Sequence, residues 1–368
     1  MNTSNLAKQF SMMDTIVSDK IALYNIRKTV VDNRQQELQL WLKAALPQTD
    51  FSLTTASADA SFRRYFRVHT SYQTLIAMDA PPPQENCEPF VRIAKLFGEA
   101  GLNVPKVIAQ DLDRGFLLLN DLGNDTYLSQ LDNASAPKLY TDANNALIKL
   151  QLASQPNVLP NYDEALLTRE MQLFPDWYIA KHLGVTLDEK QLAVLTSTFN
   201  LLNKNILAQT QVYVHRDYHS RNLMITQENN PGVLDFQDAV YGAITYDLVS
   251  LLKDAYISWE EDQIIDWLVR YWQNARKAGL AVPEDFSEFY KDFEYMGAQR
   301  HIKVLGIFAR LYHRDGKDGY LKDMPLVMTY LRKACERYTE LRPMLRLLDS
   351  LSGQDQHPDA NYKKLLKL

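Results

Sequence analysis

The sequence predicts an α+β protein in which a small strand-rich part is followed by a larger, mainly helical part. Before residue 120, apolar residues alternate with polar ones in short runs; after it, they recur three and four residues apart over long segments. We therefore expect a sheet-bearing lobe over residues 36–120, a helical lobe over residues 121–368, and an appended N-terminal extension over residues 1–35.

The first part begins with an amphipathic helix that starts near Gln36 and is closed by Pro47. A second helix is predicted over Phe90–Ala100, where apolar residues have helical spacing. Strands are expected where apolar and polar residues alternate, with a period of two, and the first two of these strands should form an antiparallel pair. These strands are Ser61–Val68, Thr74–Asp79, Lys106–Asp111 and Phe116–Asn120.

The second part consists of amphipathic helices that one apolar hairpin interrupts. The hairpin is predicted within Gln211–Phe236, where two short apolar runs flank a polar turn. The predicted helices are Lys138–Ser154, Glu164–Leu183, Leu187–Thr210, Trp259–Ala278, Phe286–Leu311 and Met324–Leu341.

Composition excludes several classes of protein. With 40 Lys+Arg against 45 Asp+Glu, the net charge of −5 offers no polycationic surface for nucleic acid or an anionic membrane. No apolar run approaches the ~20 residues that span a bilayer. Two distant cysteines, Cys87 and Cys335, form no disulfide framework. We expect a soluble cytoplasmic protein; the oligomeric state stays open.

One segment carries chemistry. His215 to Asn222 reads H-R-D-x-x-x-x-N, and Asp235-Phe236 follows across the predicted hairpin. This is the spacing of a kinase catalytic loop and its metal-binding aspartate. Phosphoryl transfer needs a carboxylate to accept the hydroxyl proton and oxygen ligands for Mg²⁺ on the phosphates of ATP. Asp217 suits the first role, and Asn222 and Asp235 suit the second.

The same segment allows a second interpretation. His215, Asp217 and His219 alternate along the chain as metal ligands do in some hydrolases. That interpretation leaves Asn222 and Asp235 without a role, but it stays open at this point.

Longer stretches identify a family resemblance. Val214–Asp238, with Tyr246–Leu248, resembles the aminoglycoside phosphotransferase superfamily, small-molecule kinases with a protein-kinase-like two-lobed fold. Other stretches are similar to bacterial anomeric kinases that phosphorylate N-acetylmuramate and N-acetylglucosamine at C1 in peptidoglycan recycling. These stretches are Ser61–Val68, Met78–Pro82, Leu118–Gly123, Phe174–Tyr178, Leu305–Leu311 and Arg314–Lys317.

The resemblance implies a role for individual residues. It makes Asp217 the catalytic base and Asn222 and Asp235 the Mg²⁺ ligands. It makes His215 and Asp247 structural braces of the catalytic loop, although Asp247 is equally compatible with an ordinary carboxylate at a helix N-terminus. The backbone of Asn120, Asp121 and Leu122 would form the hinge that meets adenine.

The sequence departs from the kinase pattern at one cation. Protein kinases hold the α- and β-phosphates with a lysine on the third strand, but no Lys or Arg lies between Arg67 and Arg92. We expect Arg64 to replace it, because alternation places this residue on the apolar face; Arg63 and Lys95 are alternatives, and Arg64 in a structural ion pair is another. The missing lysine also keeps a non-catalytic binding protein of this fold open.

The acceptor site is expected between the catalytic loop and the helical part. Glu170, Trp177, Arg300 and His301 are the candidates, because aromatic planes and polar groups suit a sugar with an acetamido group. Basic residues at positions 300, 301, 310 and 314 argue against a polycationic acceptor. Kinases of aminoglycosides, choline or homoserine remain alternatives.

Overall fold

The computed structural model describes residues 33–58 and 62–351. Most of the predicted N-terminal extension, residues 1–32, lies outside the described residues, whereas residues 33–35 belong to helix α1, residues 33–45. The chain divides into two compact units. In the described chain, the first contains residues 33–88 and Val107–Asp121, and the second contains Pro89–Lys106 and residues 122–351.

The first unit is built on an antiparallel sheet with the strand order β1-β2-β3-β5-β4. The predicted pairing of β2 with β3 is confirmed, with Val68 opposite Leu75. β1 was not predicted, because its only large apolar residues are Phe51 and Leu53 near one end. The strands are β1 (Phe51–Ala58), β2 (Arg64–Thr70), β3 (Thr74–Asp79), β4 (Val107–Asp111) and β5 (Phe116–Asn120).

Helix α1 covers one face of this sheet. Leu38, Trp41 and Leu42 recur at helical spacing and are buried against strand residues that include Val68 and Phe116. The rings of Trp41 and Phe116 are 5.7 Å apart between centroids. This contact forms the apolar core of the first unit.

Helix α2 (Glu88–Glu99) packs in the second unit, although its position in the sequence predicts it in the same lobe as the strands. Its buried face holds Phe90 and Phe97, whose ring centroids lie 4.9 and 5.9 Å from that of Phe236. The aromatic residue beside Asp235 therefore supplies the surface that buries this helix, a long-range contact that helical periodicity alone does not show.

The six helices predicted for the second unit are found close to their predicted positions. The predicted helix Glu164–Leu183 is an exception, because it changes to π-helical geometry at Phe174–His182, where Pro175 has no N–H to donate. The helices are α3 (Tyr127–Gln130), α4 (Ala136–Leu152), α5 (Glu164–Met171), α6 (Glu189–Ala208), α7 (Tyr246–Leu252), α8 (Glu261–Ala278), α9 (Phe286–Asp315), α10 (Met324–Arg337) and α11 (Arg342–Leu351). The short helices α3, α7 and α11 were not predicted.

Two short strand pairs lie among these helices. The predicted hairpin is confirmed as β7 (Leu223–Met224) paired with β8 (Gly232–Val233). β6 (Gln211–Val214) also pairs with β9 (Val240–Ala243), a pairing that the sequence does not predict. The segment His215–Asn222 lies between β6 and β7 in the chain. Among the described helices, none is both long enough and apolar enough to cross a membrane.

Candidate active site

The segment from His215 to Asn222 is a loop that leaves β6 and enters β7. Arg216 and Asp235 have positive φ angles of 77° and 62°, in the left-handed region that residues other than glycine rarely adopt. Such a conformation costs about 1–3 kcal/mol and persists only where surrounding contacts fix it. The contacts that fix the loop come from two buried aspartates.

Asp247, in the first turn of α7, holds the beginning of the loop. Its Oδ2 accepts the His215 N–H at 2.7 Å, and its Oδ1 accepts the Arg216 N–H at 3.0 Å. Burial raises the pKa of Asp247 to about 7, although both N–H donors favour the ionised form. The two oxygens of the Asp247 carboxyl group thus accept from two consecutive backbone amides.

His215 connects the loop to the strand pair β7–β8. Its Nδ1 accepts the Asp217 N–H at 3.2 Å, so its Nε2 is the protonated nitrogen and donates to the Leu234 carbonyl at 2.9 Å. Burial lowers the pKa of His215 to about 4, which keeps the ring neutral. Both ring nitrogens are thus engaged by backbone groups.

Asp254 holds the end of the loop, a role that sequence reasoning missed. Its carboxylate accepts the Ser220 N–H at 3.0 Å and the Ser220 hydroxyl, and it also accepts the Tyr256 N–H at 3.1 Å. Asp254 is buried. Two carboxylates from outside the motif therefore fix both ends of the loop.

Asp217 lies between these anchors with 44% of its side chain exposed. Desolvation opposes its ionisation, but the charges of Arg300 and Lys303 outweigh this effect and hold the pKa of Asp217 below its usual value. The nearer cation is Arg300, whose Nη2 is 3.9 Å from Asp217 Oδ1. Asp217 is therefore an accessible carboxylate that is ionised at neutral pH and can accept a proton.

Asn222 and Asp235 meet across the hairpin, as the sequence predicts. The Asn222 Nδ2 donates to the Asp217 carbonyl at 3.0 Å and lies 3.5 Å from Asp235 Oδ2. This leaves an amide oxygen and a carboxylate close together. Two such oxygen donors fit Mg²⁺, which is commonly held by one or two protein groups together with phosphate oxygens and water.

A buried cluster of cations and carboxylates backs the loop. Arg300 on α9 donates to the Arg216 carbonyl at 2.8 Å and to the Tyr246 hydroxyl at 3.0 Å. One turn further along, Lys303 lies 3.0 Å from both the Tyr246 hydroxyl and Glu170 Oε2. Glu170 also pairs with Arg216. The cluster thus fixes the cations that lie next to Asp217.

These groups form a braced loop with an ionised carboxylate, a magnesium-compatible pair and neighbouring cations. A model of the phosphotransferase enzyme family (APH) matches residues 52–286, more than half of the chain. This chain belongs to that family. The superfamily resemblance carried by Val214–Asp238 is confirmed.

Curated relatives of this phosphotransferase extend the match. One from Neisseria meningitidis serogroup B is 51% identical over 88% of this chain and 97% of the relative. Another from Pseudomonas aeruginosa is 50% identical over 87% of this chain and 97% of the relative. Both are named N-acetylmuramate/N-acetylglucosamine kinase. The resemblance to N-acetylmuramate/N-acetylglucosamine kinases is therefore confirmed as well.

A solved structure shows the shared fold. It is the aminoglycoside phosphotransferase APH(2″)-IIa in a ternary complex with streptomycin and ATP, which aligns with a TM-score of 0.52 at 15% identity. The alignment covers 83% of this chain and 97% of the other. The predicted kinase-like α+β fold class is thus confirmed.

The predicted acceptor residues of this phosphotransferase have different surroundings. Glu170 is buried and already accepts from Arg216, Lys303 and the Tyr162 hydroxyl, so its observed role is to balance the two cations. His301 is buried with its ring stacked on Tyr330 at 5.2 Å between centroids. Trp177 is partly exposed in the π-helical segment. Contact of Glu170, Trp177, Arg300 or His301 with a sugar stays a prediction.

The predicted nucleotide-binding residues lie in or beside the sheet. Arg64 pairs with buried Asp79, its Nε 2.9 Å from Oδ2, which is the structural alternative considered for it. Asp79 also accepts from Arg34 Nε at 2.7 Å. Asp121, after the end of β5 at Asn120, accepts from Arg67 Nε at 2.6 Å. Leu122 follows next in the chain. Their contacts with a nucleotide stay predictions.

The metallohydrolase interpretation fails. In the part of the chain that the structure describes, no three His, Cys, Asp or Glu side chains converge as metal ligands. The physical reason is that both nitrogens of His215 are bonded to backbone groups, while the His219 ring packs edge-on against Tyr256.

Lys303 and Tyr246 were also missed as members of the site. Lys303 could have been found from its position three residues after Arg300, which places both on one face of a helix. No comparable spacing points to Tyr246, because a tyrosine beside Asp247 is equally expected as an ordinary residue of the hydrophobic core.

Proposed function

We propose that this phosphotransferase is an ATP-dependent, Mg²⁺-dependent kinase of amino sugars that phosphorylates the anomeric C1 hydroxyl of N-acetylmuramate and N-acetylglucosamine. The products would be the sugar 1-phosphate and ADP, and the reaction would serve peptidoglycan recycling in the cytoplasm. The observation that carries the chemistry is the ionised, half-exposed Asp217 beside Asn222 and Asp235. The names of two relatives, each about half identical and covered over 97% of its length, support the choice of sugars.

In the proposed reaction, the C1 hydroxyl donates a hydrogen bond to Asp217. The hydroxyl oxygen attacks the γ-phosphorus, the bond from that phosphorus to the bridging oxygen of ADP breaks, and the hydroxyl proton passes to Asp217. Asn222 and Asp235 would hold Mg²⁺, which neutralises charge on the phosphates when bound. Arg300 keeps Asp217 ionised and fixes the Arg216 carbonyl, so the acceptor carboxylate is oriented before substrate arrives.

For the nucleotide, we propose that the backbone at Asn120–Leu122 binds adenine. Arg64 would reach the phosphates only by leaving Asp79, so its ion pair is the competing state. The lobes over residues 36–120 and 121–368 are accordingly proposed to supply nucleotide and acceptor groups, respectively.

The test is ADP release with ATP and Mg²⁺ across a panel of acceptors. The panel holds N-acetylmuramate, N-acetylglucosamine, glucosamine, kanamycin, choline and homoserine. Turnover confined to the two N-acetylated sugars, with a phosphorus NMR signal of a sugar 1-phosphate, is the expected result. Turnover of kanamycin, choline or homoserine instead would overturn the sugar assignment, and tight ATP binding without turnover of any acceptor would indicate a non-catalytic binding protein.

The variant Asp217→Asn tests the catalytic assignment. The amide cannot accept the hydroxyl proton, so kcat should fall at least about 100-fold. Calorimetric titration should show nucleotide affinity within about threefold of the unchanged protein, because Asp217 is not a proposed metal ligand. Asp235→Ala is the matched comparison and should weaken binding of Mg²⁺-ATP. A kcat near that of the unchanged protein in Asp217→Asn would refute the role of this residue.

A further inference from the structure

One face of α9 continues beyond the residues that contact the catalytic loop. Steps of three and four residues along this helix place five side chains in one stripe. We call it the cationic stripe: Arg300, Lys303, Ile307, Arg310 and Arg314. Its first two members lie beside Asp217 and Glu170, and its last member is exposed. The stripe therefore leads from the proposed reaction centre towards solvent.

Arg310 is the cationic member of this stripe that has no hydrogen-bond acceptor among the described residues. Its Nε is shielded from solvent and makes no hydrogen bond within the described part of the chain, and the residue as a whole is only partly exposed. Arg300 and Lys303 are bonded to the site, and Arg314 pairs with Asp315 at 2.8 Å. A shielded guanidinium N–H without an acceptor is unfavourable, so this position is suited to an anionic ligand.

Among the described arginines that are partly buried, only Arg310 and Arg221 lack a hydrogen-bond acceptor. Arg221 belongs to the catalytic loop, and its guanidinium lies 3.5 Å from the centre of the Tyr256 ring. That contact already stabilises the charge of Arg221. Arg310 has no such ring partner among the described residues, which favours it as the binding group.

The geometry of α9 sets the distance between Arg300 and Arg310. Arg310 follows Arg300 by ten residues, or about 15 Å along the axis, and both side chains lean towards the helix N-terminus. A ligand with its reacting hydroxyl at Asp217 would run along partly exposed Ile307 before it meets Arg310. That path suits a sugar ring with an acidic substituent directed away from the reacting hydroxyl.

We infer that Arg310 binds the carboxylate of the acceptor and makes N-acetylmuramate the preferred sugar of this site. N-acetylmuramate carries a lactyl carboxylate that N-acetylglucosamine lacks, and the guanidinium would pair with it through charge-assisted hydrogen bonds. This inference rests on the proposed function, because it assumes an amino-sugar acceptor at Asp217.

The test compares kcat/KM for the two sugars in Arg310→Gln, with Arg314→Gln as the matched control on the same stripe. Loss of one charge-assisted interaction should lower the N-acetylmuramate to N-acetylglucosamine ratio about 10- to 100-fold, mainly through KM for N-acetylmuramate. Arg310→Lys should recover part of the ratio. Arg314→Gln should keep the ratio within about twofold, because its partner is Asp315.

A ligand-side measurement covers the case in which Arg310→Gln fails to fold. The unchanged protein should lose the same factor when the lactyl carboxylate of N-acetylmuramate is replaced by its carboxamide. An unchanged ratio in Arg310→Gln, equal turnover of acid and amide, or a larger loss in Arg221→Gln would each overturn the assignment to Arg310. Failure of the unchanged protein to phosphorylate either sugar would instead refute the proposed function.

Discussion

Asp247 directs both carboxylate oxygens at main-chain N–H groups of the loop that carries Asp217. Asp247→Asn replaces one acceptor oxygen with a donor, which faces a backbone N–H in a buried site. We expect a loss of about 1–3 kcal/mol in the free energy of unfolding, together with a lower kcat because the loop geometry relaxes. Urea denaturation and steady-state kinetics measure the two effects.

Asp266→Asn is the matched control for that variant. Asp266 is exposed on α8, and its only ion pair among the described residues is with Arg270 four residues away, so its substitution should change stability by less than about 0.5 kcal/mol. If Asp247→Asn behaved like Asp266→Asn in both measurements, the loop would not depend on this brace.

At the residue scale, the sequence predicts groups that lie close together along the chain. The spacing from Asp217 to Asn222 is a property of one loop, and the short hairpin brings Asp235 back to it. The partners of that loop come from elsewhere. Glu170 is 46 residues before Arg216 in the chain, so nothing in local spacing reveals that this carboxylate is taken up by an ion pair.

At the element scale, α9 depends on a close approach at Gly306. A Cβ at this position would lie 2.4 Å from the Leu173 carbonyl carbon and 2.6 Å from its oxygen. Gly306→Ala should therefore lower the free energy of unfolding by about 1–3 kcal/mol, even though alanine favours helices. It should also lower kcat, because α9 carries Arg300 and Lys303. Chemical denaturation measures the first effect and ADP release the second.

The control for the close approach is Gly319→Ala. A Cβ at Gly319 meets no heavy atom of the described residues within 4 Å, so this variant should be nearly neutral in both assays. Equal stability of the two variants would show that α9 can move away from Leu173 at no cost.

The predicted and missed elements differ in the kind of contact that defines them. Helices such as α8 are predicted by the local periodicity of their apolar residues, and β3 was predicted with its observed bounds. The pair β6–β9 was missed because it joins four-residue segments through a long connection, and short strands carry little periodic signal. The packing of α2 on Phe236 was missed for the same reason, since only tertiary structure selects the surface that an amphipathic helix covers.

At the scale of the whole molecule, the net charge of −5 gives no sign that cations and carboxylates are paired in the interior. Behind the catalytic loop, the cations Arg216, Arg300 and Lys303 lie among the carboxylates of Glu170, Asp217 and Asp247. Composition predicts the absence of a polycationic surface but says nothing about this arrangement. Since each buried charge depends on its partner, removal of one member should cost more than the loss of a surface pair.

Buried histidines make the stability of the whole molecule depend on pH, and one substitution can isolate the contribution of a single histidine. Burial, followed by the charges of Lys253 and Arg300, lowers the pKa of His301 well below its usual value, so the folded state leaves the ring neutral where the unfolded chain protonates it. The unfolded state then binds one more proton below about pH 6.5, and stability falls as pH falls, by about 1.4 kcal/mol per pH unit for this residue.

His301→Phe keeps the stack on Tyr330 but removes the titration. Urea denaturation between pH 5 and 8 should show a flatter acid limb in this variant and parallel curves above pH 7, whereas an unchanged acid slope would mean that His301 is protonated in the folded protein.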